Sequence, residues 1–148
     1  MNKFIFPYSI RFQEDDIIEL FPAAEITILG KKSQNIKVLF HIDSGATISV
    51  LPGSDAEALG INIAAGKEII IRGISNEIIN GYKHSVILQF NNFKLKAPVI
   101  FAKDILVPRI LGREGVFPHF GIVFHEAKNK VTFLKEKNEQ KIINSLFE

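Results

Sequence analysis

Apolar and polar positions alternate along this chain in short runs, and Gly, Pro, Asn and Ser punctuate the runs at close spacing. Phe4 to Phe12 mixes aromatic and β-branched residues around Pro7. Because proline has no N–H to give to a ladder, this stretch predicts an edge strand or an arm. Gln13 to Glu19 is acidic and polar and reads as a turn or an insertion. Ala23–Leu29 and Ile36–Ile42 flank the polar turn Gly30–Asn35, which predicts a hairpin. A second apolar run, Ile48 to Leu51, ends at Pro52-Gly53. Ser54 as N-cap with Glu57 three residues on fits a capping box, and Gly60 stands where a helix stops, so one short helix of about two turns is expected. Glu68–Arg72 and Glu77–Asn80 flank Gly73-Ile74-Ser75-Asn76, a hairpin tip. Lys83–Phe90 and Phe93–Phe101, joined at Asn91-Asn92, read as further strands, with Pro98 at the entry to the second. Ile110-Leu111 predicts a strand passing into a short helical turn near Phe117, and Val131–Leu134 a late strand. Ile142, Ile143, Leu146 and Phe147 fit one helical face after the polar segment Lys135–Lys141. Many short strands at this spacing predict an all-β barrel or sandwich.

One junction in this pattern bears chemistry. Val38 to Ile42 is apolar apart from His41 and runs straight into Asp43-Ser44-Gly45-Ala46-Thr47. A carboxylate at the end of a buried strand, on a turn of small residues, is placed for reaction more than for packing. Gly45 lets the chain turn tightly, and Ser44 and Thr47 offer hydroxyls to the neighbouring strand or to the carboxylate. Asp-Ser-Gly alone is also what an ordinary Asx-turn looks like. The apolar runs on both sides tip the reading toward a site.

Composition narrows the classes. The 148 residues suffice for one domain with a core, and 47 % hydrophobic with 23 % charged is ordinary for a globular chain. A formal net charge of +2, with both signs scattered, gives no reason to expect nucleic acid or an anionic membrane. The absence of cysteine removes disulfides, thiolate metal sites and a cysteine nucleophile. Met1-Asn2-Lys3 and the short run to Pro7 do not look like a signal peptide, and no run reaches the ~18 apolar residues of a membrane span, so the expectation is a soluble, cytoplasmic protein. His41, His84, His119 and His125 show no zinc-like spacing, so no metal is expected. No Gly-x-Ser-x-Gly elbow supports a serine triad. Gly112-Arg113-Glu114-Gly115 lacks the Gly-Lys-Ser/Thr ending of a phosphate loop, and Lys31-Lys32 reads as a solvated turn.

The order of hairpin, Asp43-Ser44-Gly45-Ala46-Thr47, apolar strand, glycine-tipped hairpin and Ile110-Leu111-Gly112-Arg113 resembles the retropepsin-like (retroviral-type) aspartic proteases, in particular their cellular single-domain members, over about residues 38–133. The resemblance implies a closed all-β acid-protease barrel with one or two short helices, homodimeric, its core at about residues 26–134 within one domain of residues 1–148. The N-terminal arm and C-terminal tail fall at the dimer interface. It makes Asp43 the catalytic residue, supported in its loop by Ser44, Gly45 and Thr47, with Ser44 gripping the loop of the other subunit. It makes Gly73, Ile74 and Ser75 the tip of a substrate-closing flap, and Ala46 and Ile110 part of the substrate cleft. Gly112 and Arg113 pack behind the active-site loop. No cofactor is implied; the partners are a second copy and a peptide or protein substrate. Thr47 and Ile48 stand where retroviral relatives commonly have acidic residues, which leaves open what Arg113 bonds.

A count of residues then sets the assembly. This hydrolysis needs two carboxylates sharing one proton. Of the five aspartates, Asp15, Asp16, Asp43, Asp55 and Asp104, only Asp43 is followed by Ser-Gly. If the chain is an enzyme, Asp43 meets its own copy across a two-fold axis. The alternative from another class is a non-catalytic dimerisation or peptide-binding module on the same barrel.

Overall fold

The computed structural model describes residues 2–73, 75–104 and 106–148. Its centre is a ring of hydrogen-bonded strands. β4 (Ala23–Leu29) pairs antiparallel with β5 (Ile36–Ile42), and β5 runs parallel to the short β10 (Ile110–Leu111). β10 pairs with β6 (Ser49–Pro52), β6 runs parallel to β9 (Phe93–Ala102), β9 pairs with β8 (Ile78–Phe90), and β8 returns to β4 through Thr27↔Gln89 to Leu29↔Ile87. Six strands thus close on themselves, which leaves the ring no free edge. β7 (Lys67–Arg72) adds to the outside of β8.

Strand alternation explains the filling. In β5, Val38, Phe40 and Ile42 point in and are buried, while Lys37 and Leu39 face out. Ile26, Ile28, Leu51, Leu88, Val99, Phe101 and Leu111 meet them in one core. The predicted hairpin over Gly30–Asn35 forms as read, tightened by Asn35 Oδ1, which accepts from Gly30 N at 3.1 Å. The two strands expected at Glu77–Asn80 and Lys83–Phe90 merge into one, β8, which starts at Ile78, because Gly81 lets the chain run close over Phe101. Pro98 lies inside β9 at a position where only β8 is its neighbour; pairing to β6 begins at Val99.

The capping-box reading needs correction. Helix α1 (Gly53–Ala58) starts one residue earlier than Ser54, its N-cap is Pro52, and no side chain caps it. What holds α1 is tertiary: Asp55, 6 % exposed, accepts from Arg109 Nε at 2.8 Å and Nη2 at 2.9 Å. Gly60 does end the helix, with φ +70°.

Two smaller sheets lie outside the ring. β1 (Lys3–Pro7), β12 (Lys130–Lys135) and β11 (Phe120–His125) form one, in the order β1-β12-β11. Phe4, Phe90, Phe93, Phe120 and Phe133 stack where this sheet meets the ring, with centroid separations of 5.2 to 6.2 Å. β2 (Ser9–Phe12) and β3 (Ile18–Phe21) form a separate two-stranded hairpin. Its turn is at Glu14–Asp16, where Asp15 and Asp16 take φ of 70° and 58°, so Gln13–Glu19 is partly strand. After β12 the short helix α2 (Gln140–Asn144) seats Ile143 against Gly121, whereas Ile142, Leu146 and Phe147 stay exposed. No helix among the described residues is long and apolar enough to cross a membrane.

Candidate active site

Asp43 is the residue at which β5 leaves the ring, and its backbone is held from both neighbours. Ile42 N donates to Pro22 O at 3.0 Å, on the β4 side, and Asp43 N donates to Leu111 O at 3.1 Å, on the β10 side. The carboxylate is half-buried, and its Oδ1 accepts from Gly45 N at 2.9 Å. A Cβ at position 45 would lie 3.2 Å from that oxygen, so glycine keeps the carboxylate uncrowded. Ala46 N closes the turn onto Asp43 O at 3.2 Å.

The segment after β10 clamps this loop from behind. Arg113 N donates to Ala46 O at 3.0 Å and Glu114 N to Thr47 O at 2.8 Å. Gly112 N donates to the buried Ser49 Oγ at 2.9 Å. Gly112 passes so close to Ile48 that an added Cβ would meet its carbonyl oxygen at 2.6 Å, which excludes any side chain there. The partner left open for Arg113 is the Thr47 hydroxyl, reached from Nη2 at 3.5 Å, a long and weak bond on an exposed side chain. The grip on the loop is therefore mostly backbone, and a side-chain ion pair is not needed for it.

Ala46 and Ile110 are half-buried, while Ser44, Gly45 and Thr47 are exposed. Ile110 lies between His41 of β5 and Val50 of β6, so it shares the mouth of the ring with the Asp43 loop. The hairpin predicted around Gly73–Asn76 forms: Gly73 N donates to Glu77 O at 2.9 Å, Asn76 N to Gly73 O at 3.1 Å, and Asn76 takes φ +61°. Gly73 is half-buried and Ser75 exposed; Ile74 lies outside the described residues. Beyond Asn80 the hairpin pairs only with itself, since the β9 ladder starts at Gly81↔Ala102.

The remaining described aspartates serve elsewhere. Asp55 bonds Arg109, Asp15 and Asp16 form the β2–β3 turn, and Asp104 Oδ1 accepts from Leu106 N at 2.9 Å. Three features escaped the reading of the sequence. Ser49 is one, although a polar residue inside an apolar run calls for a buried partner. The Arg109–Asp55 pair is another; the two hydrogen bonds of the carboxylate are the main cause that holds the guanidinium above its usual range. The third is Phe21, whose ring stands 5.1 Å from that of His41 and so flanks the strand that delivers Asp43.

Comparison with known proteins agrees with this architecture. The family model described as aspartyl protease matches residues 24–114. Among curated proteins no significant match is found. Among solved structures, a retropepsin-like aspartic protease from Rickettsia conorii superposes with TM-score 0.60 at 17 % identity, covering 88 % of this chain and 89 % of that one. EIAV protease complexed with the inhibitor HBY-793 gives TM-score 0.48 at 20 % identity, covering 63 % of this chain and 82 % of that one. On the family match and the shared barrel, the chain belongs to the aspartyl protease family and has the retropepsin-like fold.

Proposed function

We propose that this chain, as a single domain of residues 1–148, is a homodimeric aspartic endopeptidase in which the two Asp43 carboxylates, one from each copy, share one proton. The observation that carries the reading is the Asp43 loop itself: a half-exposed carboxylate at the mouth of the ring, on a turn clamped by backbone bonds, in a chain with one Asp-Ser-Gly. In the dimer, the ionised carboxylate takes a proton from water as its oxygen attacks the scissile carbonyl carbon. The protonated carboxyl gives its proton to the carbonyl oxygen, forming a gem-diol. Protonation of the amide nitrogen and collapse of the diol then break the C–N bond and return the shared proton.

Ser44, exposed on the turn, is the residue for gripping the partner loop. Ala46 and Ile110 line the cleft, and Gly73 and Ser75 belong to the flap that covers an extended peptide added as a strand. Apolar residues at the cleavage site fit that lining. Gly112 and Arg113 hold the loop from behind. A soluble protein acting in the cytoplasm remains the reading of the composition.

The test is cleavage of a peptide library by the full chain across about pH 4 to 7, with Asp43→Ala as control. Parent cleavage, lost in the variant and falling at both pH extremes where the pair holds two protons or none, is expected. Equal cleavage by both sinks the reading. A dimer that binds peptides and never cuts them makes the barrel a binding module.

A further inference from the structure

The β2–β3 hairpin has two unlike faces. Its register pairs Ile10 with Leu20 and Phe12 with Ile18 on one face, and Arg11 with Glu19 on the other. The polar face is internally satisfied: Arg11 Nε lies 3.2 Å from Glu19 Oε2, Gln13 Nε2 donates to the same oxygen at 2.6 Å, and the Arg11 guanidinium sits 4.7 Å over the Phe21 ring. The apolar face is left open by the described residues. Ile10, Phe12, Ile18 and Leu20 are 56 %, 78 %, 60 % and 46 % exposed. A two-stranded hairpin is marginal in water by itself, and four large apolar side chains on one exposed face point to a covering partner. Among the described residues it pairs with no other strand of its own chain.

Its position names the partner. Phe21 packs on His41, and the next residue, Pro22, accepts the N–H of Ile42 immediately before Asp43. The hairpin is thus rooted beside the carboxylate that needs a copy of itself, and its four residue pairs reach only ~10 Å from that root. Any arrangement that brings two Asp43 loops together across a two-fold also brings two such hairpins near the axis. The last strand, β12, is engaged on both sides, flanked by β1 and β11 of its own chain. We infer that the apolar face of the β2–β3 hairpin docks on the second copy of this chain, as the isologous contact that brings the two Asp43 loops together. This rests on the endopeptidase reading and assigns the contact to a hairpin from one end of the chain.

The experiment measures mass in solution by sedimentation for the full chain, for Leu20→Lys and for Leu20→Glu, and peptide cleavage in the same samples. The parent is expected to be dimeric. Each variant should dissociate at least ~100-fold more readily, as an unpaired charge in an interface core requires, with unchanged circular dichroism because the side chain is exposed in the monomer. A monomeric parent, or variants that stay dimeric, overturns the inference. Should Lys at position 20 unfold the chain, Phe12→Ser decides: a retained dimer overturns the inference and a lost one supports it. The two readings separate cleanly. A dimer that Leu20→Lys breaks but that never cuts peptide keeps the hairpin contact and removes the protease. A parent that cuts as a dimer, with Leu20→Lys equally dimeric and active, does the reverse.

Discussion

Gly112 shows how much of the candidate site depends on single atoms. Its N–H is spent on Ser49 Oγ and its missing side chain admits the Ile48 carbonyl. Gly112→Ala is expected to lower stability by roughly 1–3 kcal/mol, the usual cost of overpacking a tight site, and to lower peptide turnover with it, since the displaced backbone carries Arg113 and Glu114 off the Asp43 loop. Urea unfolding and initial rates on one preparation check both. Tyr8 makes a different prediction. It is buried, its hydroxyl donates to Glu126 Oε2 at 2.8 Å, and burial first, then the hydrogen bond to Glu126 and its charge, raise the phenol above 10.0. A raised folded value means that the neutral phenol contributes stability in full below the unfolded value of about 10. That contribution is lost as pH rises through the raised value. Melting temperatures from about pH 8 to 11 should therefore fall more steeply for the parent than for Tyr8→Phe; parallel curves would remove the assignment.

Among the elements, strands defined by alternation behave as their sequence directs, whereas the N-terminal capping signal of α1 does not. β5 is bounded where its apolar run is bounded, because three inward side chains in seven residues have one face to bury. α1 begins at Gly53, and its placement follows the Asp55–Arg109 pair, formed between residues 54 positions apart. The β2–β3 hairpin is the sharper case. Gln13–Glu19 is acidic enough to read as a turn, yet Ile18 and Glu19 are strand, because Ile18 aligns with Phe12 and Glu19 with Arg11. Pairing partners decide what such a stretch becomes. In α2 the four spaced apolar residues fit one face, but the helix spans only Gln140–Asn144 and buries only Ile143.

For the whole molecule, the consequence of one Asp43 per chain is a square law. If each active unit needs two intact copies, mixing the parent with an equal amount of Asp43→Asn and allowing exchange should leave about a quarter of the dimers with both carboxylates, so activity falls to ~25 % of the parent measured at the same total protein concentration. A fall to one half would mean that each chain works alone. The measurement is a cleavage rate against mole fraction, at concentrations where sedimentation shows exchange.

The strands leading to and from Asp43, the Asp-Ser-Gly turn, the hairpin over residues 68–80 and the short strand Ile110–Leu111 were legible in the chain, because hydrophobic periodicity and turn residues are local signals that burial enforces wherever the strand ends up. Register closed the ring: β4 meeting β8 and β10 entering between β5 and β6 join residues far apart in sequence, and no local pattern encodes such pairings. The same holds for the clamp on the Asp43 loop, which is made of backbone bonds from Arg113 and Glu114 that any side chain at those positions would supply. The exposed face of the β2–β3 hairpin belongs to this class too. Its alternation is written in the sequence, but that the described residues of the chain leave it exposed is a property of the folded whole.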